Sequence, residues 1–204
     1  MARPSWLITN PETSGSGNGK IKNSAAEHTG RVAREGVVTV TATGLQTPKT
    51  YKVTQSPKSE FVSFTDGSEM AASKDGGVLK ITGKSNALSL NFAWVGDSGG
   101  VSLPANYTAH GIVTTNNSNI DGDPGASAEY NWEISLNIPE NEIVEEIIRT
   151  IKVTTKGGVA AQIAIKQTSG DLTLEIEPVE ITIPQAGTPA VDVNVTSNTT
   201  WEIS

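Results

Sequence analysis

Cysteine is absent from the 204 residues, which excludes disulfides, thiolate metal sites and thiol nucleophiles. Histidine occurs only at His28 and His110, so little side-chain chemistry titrates near neutral pH. Aromatic residues make up 5% and hydrophobic residues 36%, so a core has to be built from Val, Ile, Leu and a few rings. No stretch approaches the roughly 18 apolar residues of a membrane span. The opening MARPSWLITNPETSG has no apolar core of signal-peptide length, which, with Met1 as the start, points away from export. Residues 171–204 hold six acidic and no basic side chains.

That last absence is part of a gradient. Residues 1–57 carry a balance of +4, residues 58–170 of −5 and residues 171–204 of −6, within a net charge of −7. The basic end is small, dispersed and lacks interleaved aromatics, so nucleic acid is not an expected partner. Gly, Ser, Thr and Asn are abundant between short β-branched runs, the pattern of an all-β protein with many turns. Period-two patterning predicts strands at 36–43, 50–55, 61–64, 78–82, 87–95, 129–137, 150–155, 160–167, 172–176, 179–183, 190–196 and 200–203. A helical turn after Asn141 competes with this, because Ile143, Ile147 and Ile148 share a face at helical spacing.

The tetrapeptide WEIS occurs at 132–135 and 201–204, but its surroundings do not match, and other landmarks mark the repeat. Arg34, a β-branched run and Gln55 parallel Arg149, a similar run and Gln167. The stretch LKITGKSNALSLNF at 79–92 resembles VDVNVTSNTTWEIS at 191–204. Trp6 followed by a glycine-rich turn parallels Trp94 followed by one. Residues 58–170 therefore read as a complete module with an insertion at 96–128, residues 1–57 as its back half, and residues 171–204 as its front half. A lone half exposes one core face and an unpaired sheet edge, so each end needs strands from another chain or from beyond Ser204.

Trp6, Gly15, Gly17, Arg34 and VTQ at 53–55, then Trp94, Asn141, Arg149 and Gln167, resemble the BACON domain, as does GTPAVDVNVTSNTTW. The resemblance implies tandem immunoglobulin-like β-sandwiches and a family found in gut Bacteroidetes and their phages. It implies a proposed carbohydrate-binding role and no catalytic residues. The 96–128 insertion departs from the pattern.

Candidate sites are few. Asn117, Asn119, Asp121 and Asp123 alternate oxygen ligands around Gly122 as in a calcium loop, but Ala128 stands where a bidentate Glu belongs, so a turn-rich loop is preferred to calcium. Trp132, between polar neighbours, is read as core ahead of a glycan platform, and Tyr107 and His110 in the insertion as ordinary loop residues ahead of ligand contacts; these three are the candidate glycan-binding residues. Trp6 and Trp94 are expected in the core, and Arg34 and Arg149 in structural contacts. Asp66, Glu69, Asp121 and Asp123 lack any fixed separation that would make an acid–base pair, so the chain is not read as an enzyme. The expected function is a virion structural protein of a tailed phage: a head fibre, capsid decoration or tail-attached accessory made in the host cytoplasm. Its expected partners are other virion proteins, copies of itself and, weakly, glycans. The alternative is a secreted or surface glycan-binding module of a Bacteroidetes bacterium.

Overall fold

Strict alternation of apolar and polar residues commits the middle of the chain to strands with one face inward. In Tyr130–Ile138, every second residue is buried, and Ile147–Thr155 and Ala160–Gln167 follow the same rhythm over most of their length. The computed structural model describes residues 3–11, 13–187 and 190–204, and among them forms strands and no helix. In chain order the strands are β1 (Leu7–Asn10), β2 (Lys22–Ala25), β3 (Arg34–Val40), β4 (Lys49–Gln55), β5 (Val62–Phe64), β6 (Glu69–Ala72), β7 (Gly77–Ser85) and β8 (Leu90–Val95). They continue as β9 (Asn106–Ala109), β10 (Ile112–Thr115), β11 (Tyr130–Ile138), β12 (Ile147–Thr155), β13 (Ala160–Gln167), β14 (Leu174–Glu177) and β15 (Asn194–Ser197).

Strands β5 to β13 form a two-sheet sandwich, with sheet orders β10-β9-β11-β7-β5 and β6-β13-β12-β8. The fold is all-β and immunoglobulin-like, with smaller two-stranded sheets on either side: β1-β2 and β3-β4 before it, β14-β15 after it. One apolar cluster fills the sandwich, with Ile81, Trp132, Ile134 and Leu136 on one sheet and Phe92, Ile151, Val153, Ile163 and Ile165 on the other. Each fully buried Ile or Leu contributes about 1.5–3 kcal/mol by leaving water.

Each sheet combines strands from the earlier and the later part of the module. The later strands β11, β12 and β13 pair with the earlier β7, β8 and β6 respectively, so neither half of the module is a sheet by itself. The β6–β13 pairing is parallel, with Ala164 opposite Glu69 and Gln167 opposite Ala72.

Several expectations are corrected. The insertion at 96–128 is not a loop throughout, since Tyr107 and Thr114 lie in the β9–β10 hairpin, turned by His110 and Gly111 at φ of 51° and 78°. Strands β1, β2 and β6 have no counterpart in the sequence-based set. No helical turn follows Asn141; its side chain instead holds a bend, donating to the carbonyls of Glu145 and Thr168 at 2.9 Å each. Residues 179–183 and 200–203 are not in strands, since no strand among the described residues pairs with them.

Candidate interaction surfaces

The candidate glycan residues do not form a platform. Trp132 is 1% exposed and packs edge-on against Phe64 and Phe92 at centroid distances of 5.3 and 5.1 Å. Opposite it in the ladder, a side chain at Gly83 would run into the indole, so this glycine makes room for the ring. Tyr107 is also buried, edge-on to Phe92, with its hydroxyl accepting from the Leu90 amide at 3.2 Å. Burial raises the Tyr107 phenol and pushes that of Tyr130 up to about 12. His110 is exposed, at the tip of the β9–β10 hairpin. The polar neighbours of Trp132 are no sign of exposure, because in a strand they point to the opposite face, and the core reading of this ring holds.

The calcium-like loop has another use. Ile120 is buried in the middle of it, and Asp123 is clamped by Arg31 through Nε at 2.8 Å and Nη2 at 2.5 Å. The same guanidinium donates to the Asn86 carbonyl at 2.5 Å, tying the segment before β3 to the sandwich. The Arg31 contact holds the Asp123 carboxyl below its ordinary range. Asn117, Asn119 and Asp121 are exposed, and Asn117 sits at a turn with φ of 64°. Among the described residues no three His, Cys, Asp or Glu side chains gather as a metal site.

The polar side chains that do converge form two structural clasps, and each occurs twice. In the sandwich Ser85 Oγ donates to the Phe61 carbonyl at 2.7 Å, while Asn86 accepts from the Phe61 amide at 2.8 Å and donates to the Ser59 carbonyl at 3.0 Å. At positions 112 residues later, Ser197 donates to the Thr173 carbonyl at 2.9 Å, and Asn198 accepts from the Thr173 amide at 2.9 Å and donates to the Asp171 carbonyl at 2.8 Å. The β14–β15 pair thus reproduces β5–β7 bond for bond. The second clasp joins Arg149 Nη1 to Gln167 Oε1 at 2.8 Å, with Gln167 Nε2 donating to the Pro139 carbonyl just past β11 at 2.8 Å. Its counterpart joins Arg34 Nε to Gln55 Oε1 at 2.9 Å, with Gln55 Nε2 donating to the Ala26 carbonyl just past β2 at 2.8 Å. So β2, β3 and β4 repeat the end of β11, β12 and β13. Arg34 also lies 4.6 Å over the Trp6 ring, a contact that Trp94, paired with Ile151 in the β8–β12 ladder, does not copy.

What differs between the copies is cover. Val62, Phe64 and Ile81 are 8%, 8% and 0% exposed, whereas their equivalents Leu174, Ile176 and Val193 are 61%, 51% and 39% exposed. Leu172, Val179, Ile181, Ile183 and Ile203, in the same stretch of sequence, are exposed as well. In the first unit Val38 is buried but Val40, two residues along the same face, is 40% exposed. It lines a cavity of about 760 Å³ that opens between β1–β2 and β3, with Thr9, Ile21 and Val38 on its walls. Neither edge strand sequence nor alternation alone reveals this; the signal was the pairing of Arg with Gln and Ser with Asn at repeated spacings.

No protein-family profile matches the chain, and no curated protein does. Among solved structures it is similar to the extracellular cadherin domains 1–4 of protocadherin gamma B7, with 10% identity, a TM-score of 0.39 and coverage of 94% of this chain and 47% of that one. Domains 4–9 of the surface layer protein SbsC give 11% identity and a TM-score of 0.34 over 96% of this chain and 36% of that one. An endo-fucoidan hydrolase of glycoside hydrolase family 107 gives 12% identity and a TM-score of 0.26 over 84% of this chain and 23% of that one. The chain thus spans less than half the length of each of these structures.

Proposed function

We propose that this chain is a non-enzymatic structural protein, a tandem array of BACON-like modules whose work is assembly and adhesion. The setting that fits best is an accessory component of a tailed-phage virion, such as a head fibre, a capsid decoration or a tail-attached protein. The observation that carries the reading is the repetition of one module along the chain: β14–β15 copies the Ser–Asn clasp of β5–β7, and β3–β4 copies the Arg–Gln clasp of β12–β13. Tandem arrays of this kind present repeated sheet surfaces suited to assembly and adhesion. The buried polar groups support the same reading, since Arg149, Gln167 and Asn86 spend their hydrogen bonds on the chain's own backbone and side chains. The alternative of a secreted glycan-binding module relied on Trp132 and Tyr107, whose ring faces are occupied by the core. The test is fractionation of particles from the source phage. The chain is expected to remain with the capsid or tail fraction through a density gradient, and its absence from purified particles would refute the virion setting.

A further inference from the structure

We infer that the 96–128 insertion is a brace between modules: through Asp123 it grips Arg31 and holds the sandwich at one fixed angle to the unit formed by β1 to β4. Units in tandem move against each other unless a specific contact spans the joint. Here the linker is short, since only residues 56–61 separate β4 from β5. Pro57 fixes one of its φ angles. A backbone hook adds to this, with the Lys58 amide donating to the Gly30 carbonyl at 2.9 Å.

The hook belongs to the repeat. Residues 168–173 separate β13 from β14, a linker that is again six residues long. Within it the Gly170 amide donates to the Ile143 carbonyl at 2.7 Å. Lys58 and Gly170 are 112 residues apart, and Gly30 and Ile143 are 113 apart. Each joint also engages the Ser-Asn clasp of the following unit. The Asn86 carbonyl accepts from Arg31 Nη1 at 2.5 Å, and the Asn198 side chain donates to the Glu142 carbonyl at 3.2 Å. Two different sequences thus close the same backbone bond at the module period, which marks the joint as part of the fold.

The brace is what the first joint adds. Arg31 follows Gly30, whereas Val144 follows Ile143 and offers no charge to a carboxylate. Arg31 meets Asp123 as a fork, Nε to Oδ2 at 2.8 Å and Nη2 to Oδ1 at 2.5 Å. A fully exposed ion pair would hold little, but these side chains are only 16% and 24% exposed, and the fork fixes direction as well as distance. Asp123 is itself held, since Oδ1 also accepts from the Gly125 amide at 3.1 Å. Three residues past Asp123, the Ala126 carbonyl accepts from Asn86 Nδ2 at 2.8 Å. Arg31, Asp123, Ala126 and Asn86 therefore close a ring across the joint, with the insertion as one side of it. Ile120 anchors the insertion in the sandwich core, so the carboxylate is presented from a fixed base. This inference stands apart from the virion setting, because it concerns the internal geometry of one isolated chain.

The absence of cysteine makes the test direct, because two introduced thiols carry the only labels. Spin labels on Gln46→Cys, in the β3–β4 connection, and Ser135→Cys, on the outer face of β11, report the joint by double electron–electron resonance. One narrow distance peak is expected for the full chain. Asp123→Ala and Arg31→Ala are each expected to widen it about twofold or more, and the double variant no further than either. A second pair within the sandwich, Ser135→Cys with Lys156→Cys, is expected to keep its distance in every variant, which shows the fold intact. A broad peak across the joint of the otherwise unmodified chain overturns the proposal, as does a narrow one that Asp123→Ala leaves unchanged. A double variant wider than either single one overturns it too, since the two groups would then act separately. Equal widening of both label pairs also overturns it, since the clamp would then support the sandwich and not the joint.

Discussion

Replacing Trp132 with alanine separates a core ring from a sugar platform by magnitude. The indole is enclosed by Phe64, Phe92 and the backbone at Gly83, with 1% of its surface exposed. At about 25 cal/mol per Å², burying the roughly 150–250 Å² of an aromatic side chain is worth ~4–6 kcal/mol, an upper figure because unfolded chains are partly compact. Measured aromatic-to-alanine changes in cores cost about 3–5 kcal/mol. Against a typical stability of roughly 5–15 kcal/mol, that is a large share. In a urea titration followed by circular dichroism, with a slope of about 1–2 kcal/mol per molar, the midpoint is expected to fall by about 2 M or more. A surface platform residue costs only about 0.5 kcal/mol. A midpoint unchanged within about 0.3 M would refute the packing argument. Trp132→Phe is expected to cost less than the alanine change, because the buried indole N–H has no hydrogen-bond partner among the described residues and phenylalanine removes it.

Other perturbations follow from the clasps. Asn86→Ala removes one acceptor contact to the Phe61 amide and donors to the Ser59 and Ala126 carbonyls, so a loss of about 2–3 kcal/mol is expected in the same titration. The matching Asn198→Ala, at an exposed site, is expected to leave sandwich stability within about 0.5 kcal/mol. Acidification probes the Arg31–Asp123 clamp. Because Asp123 titrates below its unfolded value in the folded chain, its stabilisation is present above about pH 4 and is lost as pH falls through the depressed folded value. Thermal melts from pH 6 down to pH 2.5 are expected to show a smaller fall for Asp123→Asn than for the unmodified chain; equal falls would contradict the clamp.

The all-β fold was legible because β-branched residues alternate in the stretches that became β3, β4, β7, β8 and β11 to β13. The Arg34–Gln55 and Arg149–Gln167 spacings and the repeated Ser-Asn at 85–86 and 197–198 mark clasps that the structure closes with hydrogen bonds. Other elements were hidden for physical reasons. Strand β2, KNSA, is exposed throughout and has no alternation to read. Strand β6, EMAA, contains good helix formers and is extended only because β13 lies beside it. Residues 179–183 show the reverse, a strand pattern without a ladder partner among the described residues. Trp132 stayed ambiguous in the sequence because a ring flanked by polar residues looks exposed until the opposite sheet is known, and its burial matches the core reading; Tyr107, read as a loop residue, lies instead in a strand facing the core. Leu174 and Ile176 carried no separate signal, since an apolar residue in a strand reads as core whether or not a second sheet covers it.

Hydrogen exchange read by mass spectrometry, on the intact chain in dilute solution, bears most directly on the contrast between the sandwich and its flanking units. Amides of β4 and of residues 174–183 are expected to exchange quickly, while β11 and β12, at the centre of the sandwich, stay protected throughout. Full protection of those two flanking stretches in dilute protein would contradict the account.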